Sequence, residues 1–141
     1  MPSLYDIADL ARRELTLCGL ALDGAQADLP TKLLALPPTV TAPLRAWKLF
    51  WARRHRARAV KAIDELHMAL HDRAGAAGRV QNADLWSAIM RGVDALALSR
   101  WLRADTIAAS EVRPARQTLQ ILITDLGEVI ALIRELEAPS A

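Results

Sequence analysis

The 141-residue sequence is poor in several residues that commonly reveal a protein's chemistry. It has one cysteine, Cys18, which excludes an intramolecular disulfide and any zinc site built on paired thiolates, and which suits a reducing, cytoplasmic setting. Aromatics are scarce: four tryptophans, one tyrosine and one phenylalanine. No uncharged apolar run is long enough to span a bilayer, and the start Met1-Pro-Ser-Leu-Tyr-Asp lacks the basic and apolar stretches of a secretory signal, so neither membrane insertion nor secretion is expected. There is no glycine-rich phosphate loop and no Gly-x-Ser-x-Gly elbow. Glu135 and Glu137 stand two apart near a chain end, a poor place for a preorganised carboxylate pair. No catalytic residue, cofactor or metal is therefore assigned, and the expectation is a protein that is not an enzyme. The 52% hydrophobic content over one domain's length excludes disordered and collagen-like classes.

Apolar residues recur at helical spacing, and no segment alternates in the manner of a strand. Ser3 and Asp6 form a capping-box pattern ahead of Leu4, Ile7, Ala8, Ala11, Leu15 and Cys18, which predicts a first helix over roughly 4–18, stopping near Gly19. Residues 19–42 hold Gly19, Gly24, Pro30, Pro37 and Pro38 and read as a connector, with one short helix around Thr31–Leu36. A long helix is predicted from Pro43 to about Gly75. A third, N-capped by Asn82, carries a stripe from Leu85 through Trp86, Ile89, Met90, Val93, Leu96 and Ala97 to Trp101. The last begins around Pro114, with a seam of Leu119, Leu122, Leu126, Val129, Ile133 and Leu136. Ile121 and Leu132 lie off that seam and favour self-association or docking on another protein. The expected architecture is an all-α bundle of about four principal helices, one of them long and basic, forming a single helical domain over 1–141 with a frayed tail at 138–141.

The second scarcity is local. Residues 29–63 contain no acid at all, yet hold Lys32, Arg45, Lys48, Arg53, Arg54, Arg56, Arg58 and Lys61. The overall charge of +2 is therefore a segregated one. Residues 1–28 set two arginines against five acids, and residues 64–141 set eight arginines against eleven. Each flank is net acidic and the middle strongly basic. Trp47, Phe50 and Trp51 stand directly before the densest cations. A concentrated cationic segment gains free energy by releasing counterions condensed on a polyphosphate, and an adjacent tryptophan can stack on an unpaired base for about 1–3 kcal/mol. The candidate contacts are Arg45, Trp47, Lys48, Trp51, Arg53, Arg54, Arg56, Arg58 and Lys61, binding RNA or DNA backbone without sequence specificity. On a helical wheel these cations surround the axis, so one packing stripe cannot bury them all.

On the same wheel Val60, Ile63, Leu66, His67 and Leu70 share a side, whereas Leu44, Trp47, Phe50 and Trp51 centre nearly opposite. Either the helix bends near 52–58, or its first half packs on a different neighbour such as another subunit. A second reading follows, a helical adaptor or phage-assembly module that uses the tryptophan-rich half as a dimer or partner interface.

Several smaller patterns complete the reading. Asp64, His67 and His71 share a helix face at spacings that suit a divalent metal, although the sequence identifies no further ligand from another helix. Leu70-His-Asp resembles the apolar-His-Asp signature of the HD phosphohydrolases in His71 and Asp72, which would imply metal-dependent hydrolysis. That family also takes a histidine from an earlier helix, and His55 lies on the same helix, about 24 Å away at 1.5 Å per residue. Leu4-Tyr-Asp-Ile-Ala-Asp-Leu-Ala resembles the opening of a LacI-type helix-turn-helix, but the periodicity of one helix continues where the turn and reading helix belong. In size, helical content and basic patch the chain resembles the small subunits of CRISPR effector complexes. That likeness implies an accessory subunit of a nucleoprotein assembly.

Overall fold

The computed structural model describes residues 3–25, 38–76, 83–104, 107 and 111–137. Five helices and no strand occur among them: α1 (Leu4–Ala25), α2 (Pro38–Ala76), α3 (Ala83–Ala97), the single-turn α4 (Arg100–Arg103) and α5 (Val112–Glu137). The all-α expectation holds. The short helix expected at Thr31–Leu36, the Asn82 cap and the 138–141 tail lie outside the described residues.

The capping box forms as its spacing predicts. The Asp6 amide donates to Ser3 Oγ at 3.1 Å and the Ser3 amide to Asp6 Oδ2 at 3.3 Å. Gly19, however, does not end α1, which runs on to Ala25. A Cβ at Gly19 would lie 3.2 Å from Leu119 Cδ2, so this glycine serves close approach of α1 to α5 and not a stop. The connector is correspondingly shorter at both ends, because α2 starts at Pro38 and carries Pro43 inside it. A proline so near the first turn forfeits a single backbone hydrogen bond, which the remaining turns outweigh. The third pattern, read as continuous to Trp101, breaks after Ala97. Ser99 adopts an extended conformation and accepts from the Leu102 amide, capping α4.

Each long helix packs on two others, α1 against α2 and α5, and α3 against α2 and α5, while α4 docks on α2. Cross-helix contacts give the directions. Glu14 meets His55, Asp94 meets His67, and Asp23 at the end of α1 meets Arg116 at the start of α5. Successive long helices thus run antiparallel, an up-down-up-down bundle. The core is built from Leu4, Leu15 and Leu22 of α1, Ile63, Leu66 and Leu70 of α2, Ile89, Val93 and Leu96 of α3, and Leu119, Leu126 and Ile133 of α5. Gly92 brings α3 close to α5: a Cβ there would fall 2.5 Å from Val129 Cγ2.

Glu137 ties three helix ends together. Its carboxylate accepts from the Leu4 and Tyr5 amides at 3.2 and 3.1 Å and pairs with Arg73 of α2 at 3.6 Å. An anion on free amides at a helix start is favourable for charge and hydrogen bonding alike. No helix among the described residues is long and apolar enough to cross a membrane.

Candidate nucleic-acid interface

The first half of α2 turns few bulky side chains fully inward. Its buried positions are Ala52, Arg56, Ala59 and Ala62, continuing into Ile63, Leu66 and Leu70. Small residues let α1 approach closely, and the helix is continuous through the change of apolar face. It buries an alanine stripe and leaves aromatics outside. Trp47 is 56% exposed and Phe50 44%. With half-buried Trp51 they form a cluster in which Trp47 and Phe50 stack at 6.1 Å and each meets Trp51 edge-on at 5.7 Å.

At 100° per residue, Trp47, Phe50, Arg54, Arg58 and Lys61 fall within about 80° of one another, with Arg53 to one side. All six are exposed. From Trp47 to Lys61 the stripe extends about 21 Å along the helix axis. Among the described residues Arg53, Arg54, Arg58 and Lys61 have no hydrogen-bond or ion-pair partner. The acids of the adjacent α1 are engaged elsewhere: Glu14 with His55 Nδ1 at 2.6 Å, Asp23 with Arg116 at 2.9 Å, and Asp9 with Arg12 and Arg13 at 3.1 and 2.7 Å. Hydrogen bonding from Arg13, aided by both guanidinium charges, holds the Asp9 carboxyl below its usual range.

The remaining candidates are placed differently. Arg56 is 3% exposed and points into the contact between α2 and α4. It donates to Trp101 O at 3.1 Å and to Ala104 O, while its guanidinium lies 5.1 Å from the Trp101 ring centroid. Carbonyls ending a helical turn carry partial negative charge, so a buried guanidinium finds neutralising partners there. Arg56 therefore belongs to the α2–α4 contact and not to the outer face of α2. Its direction on the helix coincides with that of Ile63, a signal already present in the sequence. Lys48 is half-buried beside Gly24, where a Cβ would fall 3.1 Å from its stem. Arg45 is half-buried with Nε enclosed and without a hydrogen-bond partner among the described residues. The outward set thus contracts to Trp47, Phe50, Arg53, Arg54, Arg58 and Lys61. Between α2 and α4 a shallow groove, lined by Arg53, Arg56, Val60, Leu102 and Arg103, continues its edge. Phe50 is the member that the sequence reading did not select.

The histidine pattern is also rearranged. Asp64 does not join His67 and His71, because Arg103 holds its carboxylate at 2.7 Å. Asp94, from α3, takes that place, with Oδ1 2.7 Å from His67 Nε2, and His71 Nε2 lies 3.2 Å from the same nitrogen. Cys18 is fully buried, and burial pushes its thiol up to about 12, which leaves it unreactive at neutral pH. Comparison with protein-family models, with curated proteins and with solved structures finds no match to this chain, so its functional reading rests on these residues.

Proposed function

We propose that the protein is a non-enzymatic accessory subunit that binds nucleic-acid backbone along the outer face of α2. The observation that carries this reading is the coincidence, on one exposed stripe flanked by Arg53, of Arg54, Arg58 and Lys61 with two exposed aromatic rings, all four cations being without acidic partners among the described residues. Guanidinium forks match phosphate oxygens bidentately. The cations are spread along the helix as successive backbone charges would require, and Trp47 and Phe50 offer faces on which unpaired bases can stack. This combination suits a single strand without sequence preference.

Four phosphate contacts at about 0.7 counterions each give a log–log salt slope near −3 for single strands. Contact by about six of the basic residues at 45–61 would give about −4. Fluorescence anisotropy with single- and double-stranded DNA and RNA over a salt series tests the reading. Binding that weakens with salt at the shallower slope, together with quenching of Trp47, supports it. A flat salt dependence, or no binding at low salt, overturns it.

The exposed ring cluster favours one second reading, a docking surface for another protein or another copy. Light scattering over a concentration series, combined with acrylamide quenching, separates the two. A stable dimer that shields Trp47 without nucleic acid supports the docking reading.

A further inference from the structure

We propose that His67, His71 and Asp94 form a site for a zinc-class divalent metal ion, bridging the second half of α2 to the end of α3. His67 and His71 are one helical turn apart, so both imidazoles emerge on the same side of α2. Antiparallel packing of α3 then brings Asp94 to the same point. One donor atom from each of the three residues can be chosen so that all lie within 4.8 Å of one another. The two rings are inclined at 71°, so they meet edge to face and are not stacked.

The geometry is unusual for a set of ordinary hydrogen bonds. His67 Nε2 faces Asp94 Oδ1 at 2.7 Å and His71 Nε2 at 3.2 Å. An imidazole nitrogen carries either one hydrogen or one lone pair. A hydrogen on His67 Nε2 directed at Asp94 cannot also point at His71, whereas a lone pair leaves the carboxylate without a donor. A cation at the centre satisfies all three groups at once. With metal–nitrogen bonds of about 2.0–2.1 Å, the edge of a tetrahedral site is about 3.3 Å. The His67–His71 separation already matches that edge, the His67–Asp94 separation must open by roughly half an ångström, and the His71–Asp94 pair, placed within 4.8 Å, must be drawn to the same edge by side-chain rotation.

Donor chemistry selects the ion. Two imidazoles and one carboxylate suit zinc and its first-row neighbours, whereas magnesium and calcium require oxygen-rich shells. Asp64 is held by Arg103, and His71 is exposed. Three protein ligands and solvent access leave the fourth position to water or an outside ligand. This proposal is independent of nucleic-acid binding, since none of its residues belongs to the outer stripe of α2.

The test is isothermal titration of the tag-free full chain with zinc and with magnesium, followed by cobalt substitution and visible absorption. One zinc per chain, no magnesium heat and an intense tetrahedral cobalt band are expected. Exposed His71→Ala should leave the circular dichroism unchanged yet weaken zinc binding by more than the roughly 10- to 100-fold typical of losing a supporting partner. Asp94→Asn should weaken it as well, and Asp64→Asn should bind as the parent does. Absence of stoichiometric zinc binding overturns the proposal. So does equal affinity for magnesium, or unchanged zinc affinity in His71→Ala.

Discussion

The two halves of α2 are built on opposite plans. In the second half Ile63, Leu66 and Leu70 point into the bundle, and the outward residues include Glu65 and Asp72. Large apolar groups other than Met68, which is 66% exposed, are buried, and surface charge is mixed. In the first half, taken through Ala62, the inward residues are mainly alanines, while two aromatic rings and four cations face outward. The second half is what bundle packing alone requires. The first half keeps Trp47, Phe50 and four cations out of the core, with Arg56 the buried exception and Trp51 half-buried against the core, an arrangement bundle packing does not require. That difference is why the proposed binding face is placed on the first half.

Arg56 makes the comparison sharpest, because it lies between Arg54 and Arg58 in sequence and on the other side of the helix. Arg56→Ala leaves two carbonyls without their donor and empties the space over Trp101, at a cost of about 2–4 kcal/mol in urea unfolding. Arg54→Ala and Arg58→Ala should each stay within about 0.5 kcal/mol of the parent. Equal effects at all three positions would erase the distinction between inner and outer faces.

The inner side is also open to a pH test. The Cys18 thiol ordinarily ionises at 9.0 and is raised to about 12 in the fold by burial, against the opposing pull of Arg56 and Arg116. Between those values the unfolded chain has lost a proton that the folded chain keeps. Stability is therefore intact below pH 9 and falls as pH rises towards 12, by up to about 1.4 kcal/mol per unit. Subtracting the alkaline profile of Cys18→Ala from that of the parent isolates this slope. A difference that is flat across the window contradicts the burial.

The outer side responds differently. Trp47→Ala, at a largely exposed position, should change stability little but weaken single-strand binding by about 1–3 kcal/mol if the ring stacks on a base. Loss of stability without loss of affinity would return Trp47 to a structural role.

Much of this organisation was legible in the sequence. The seam of α5, the stripe of α3 and the capping box at Ser3 depend on spacing along one helix, which sequence records directly. The acid-free segment was equally plain. What escaped notice depended on neighbours. Gly19 reads as a stop until Leu119 is set against it, and Asp94 is unremarkable until antiparallel packing sets α3 beside His67. Arg56 could have been recognised: it stands seven residues before Ile63 and beside Ala52 and Ala59 on the wheel. The bulky aromatics drew the apolar face toward themselves, whereas alanine, weakly hydrophobic but small, marks the side where helices approach most closely.

The central claim is that the exposed cations of α2, and not arginine content in general, bind the phosphate backbone. The most direct measurement is the salt slope of single-strand binding for the parent, for a variant with Arg53, Arg54, Arg58 and Lys61 all changed to alanine, and for a variant with Arg12 and Arg13 changed. The account predicts a slope near −3 for the parent, unchanged in the Arg12 and Arg13 variant and close to zero in the fourfold variant. A fourfold variant that keeps the parent's slope and affinity would contradict it.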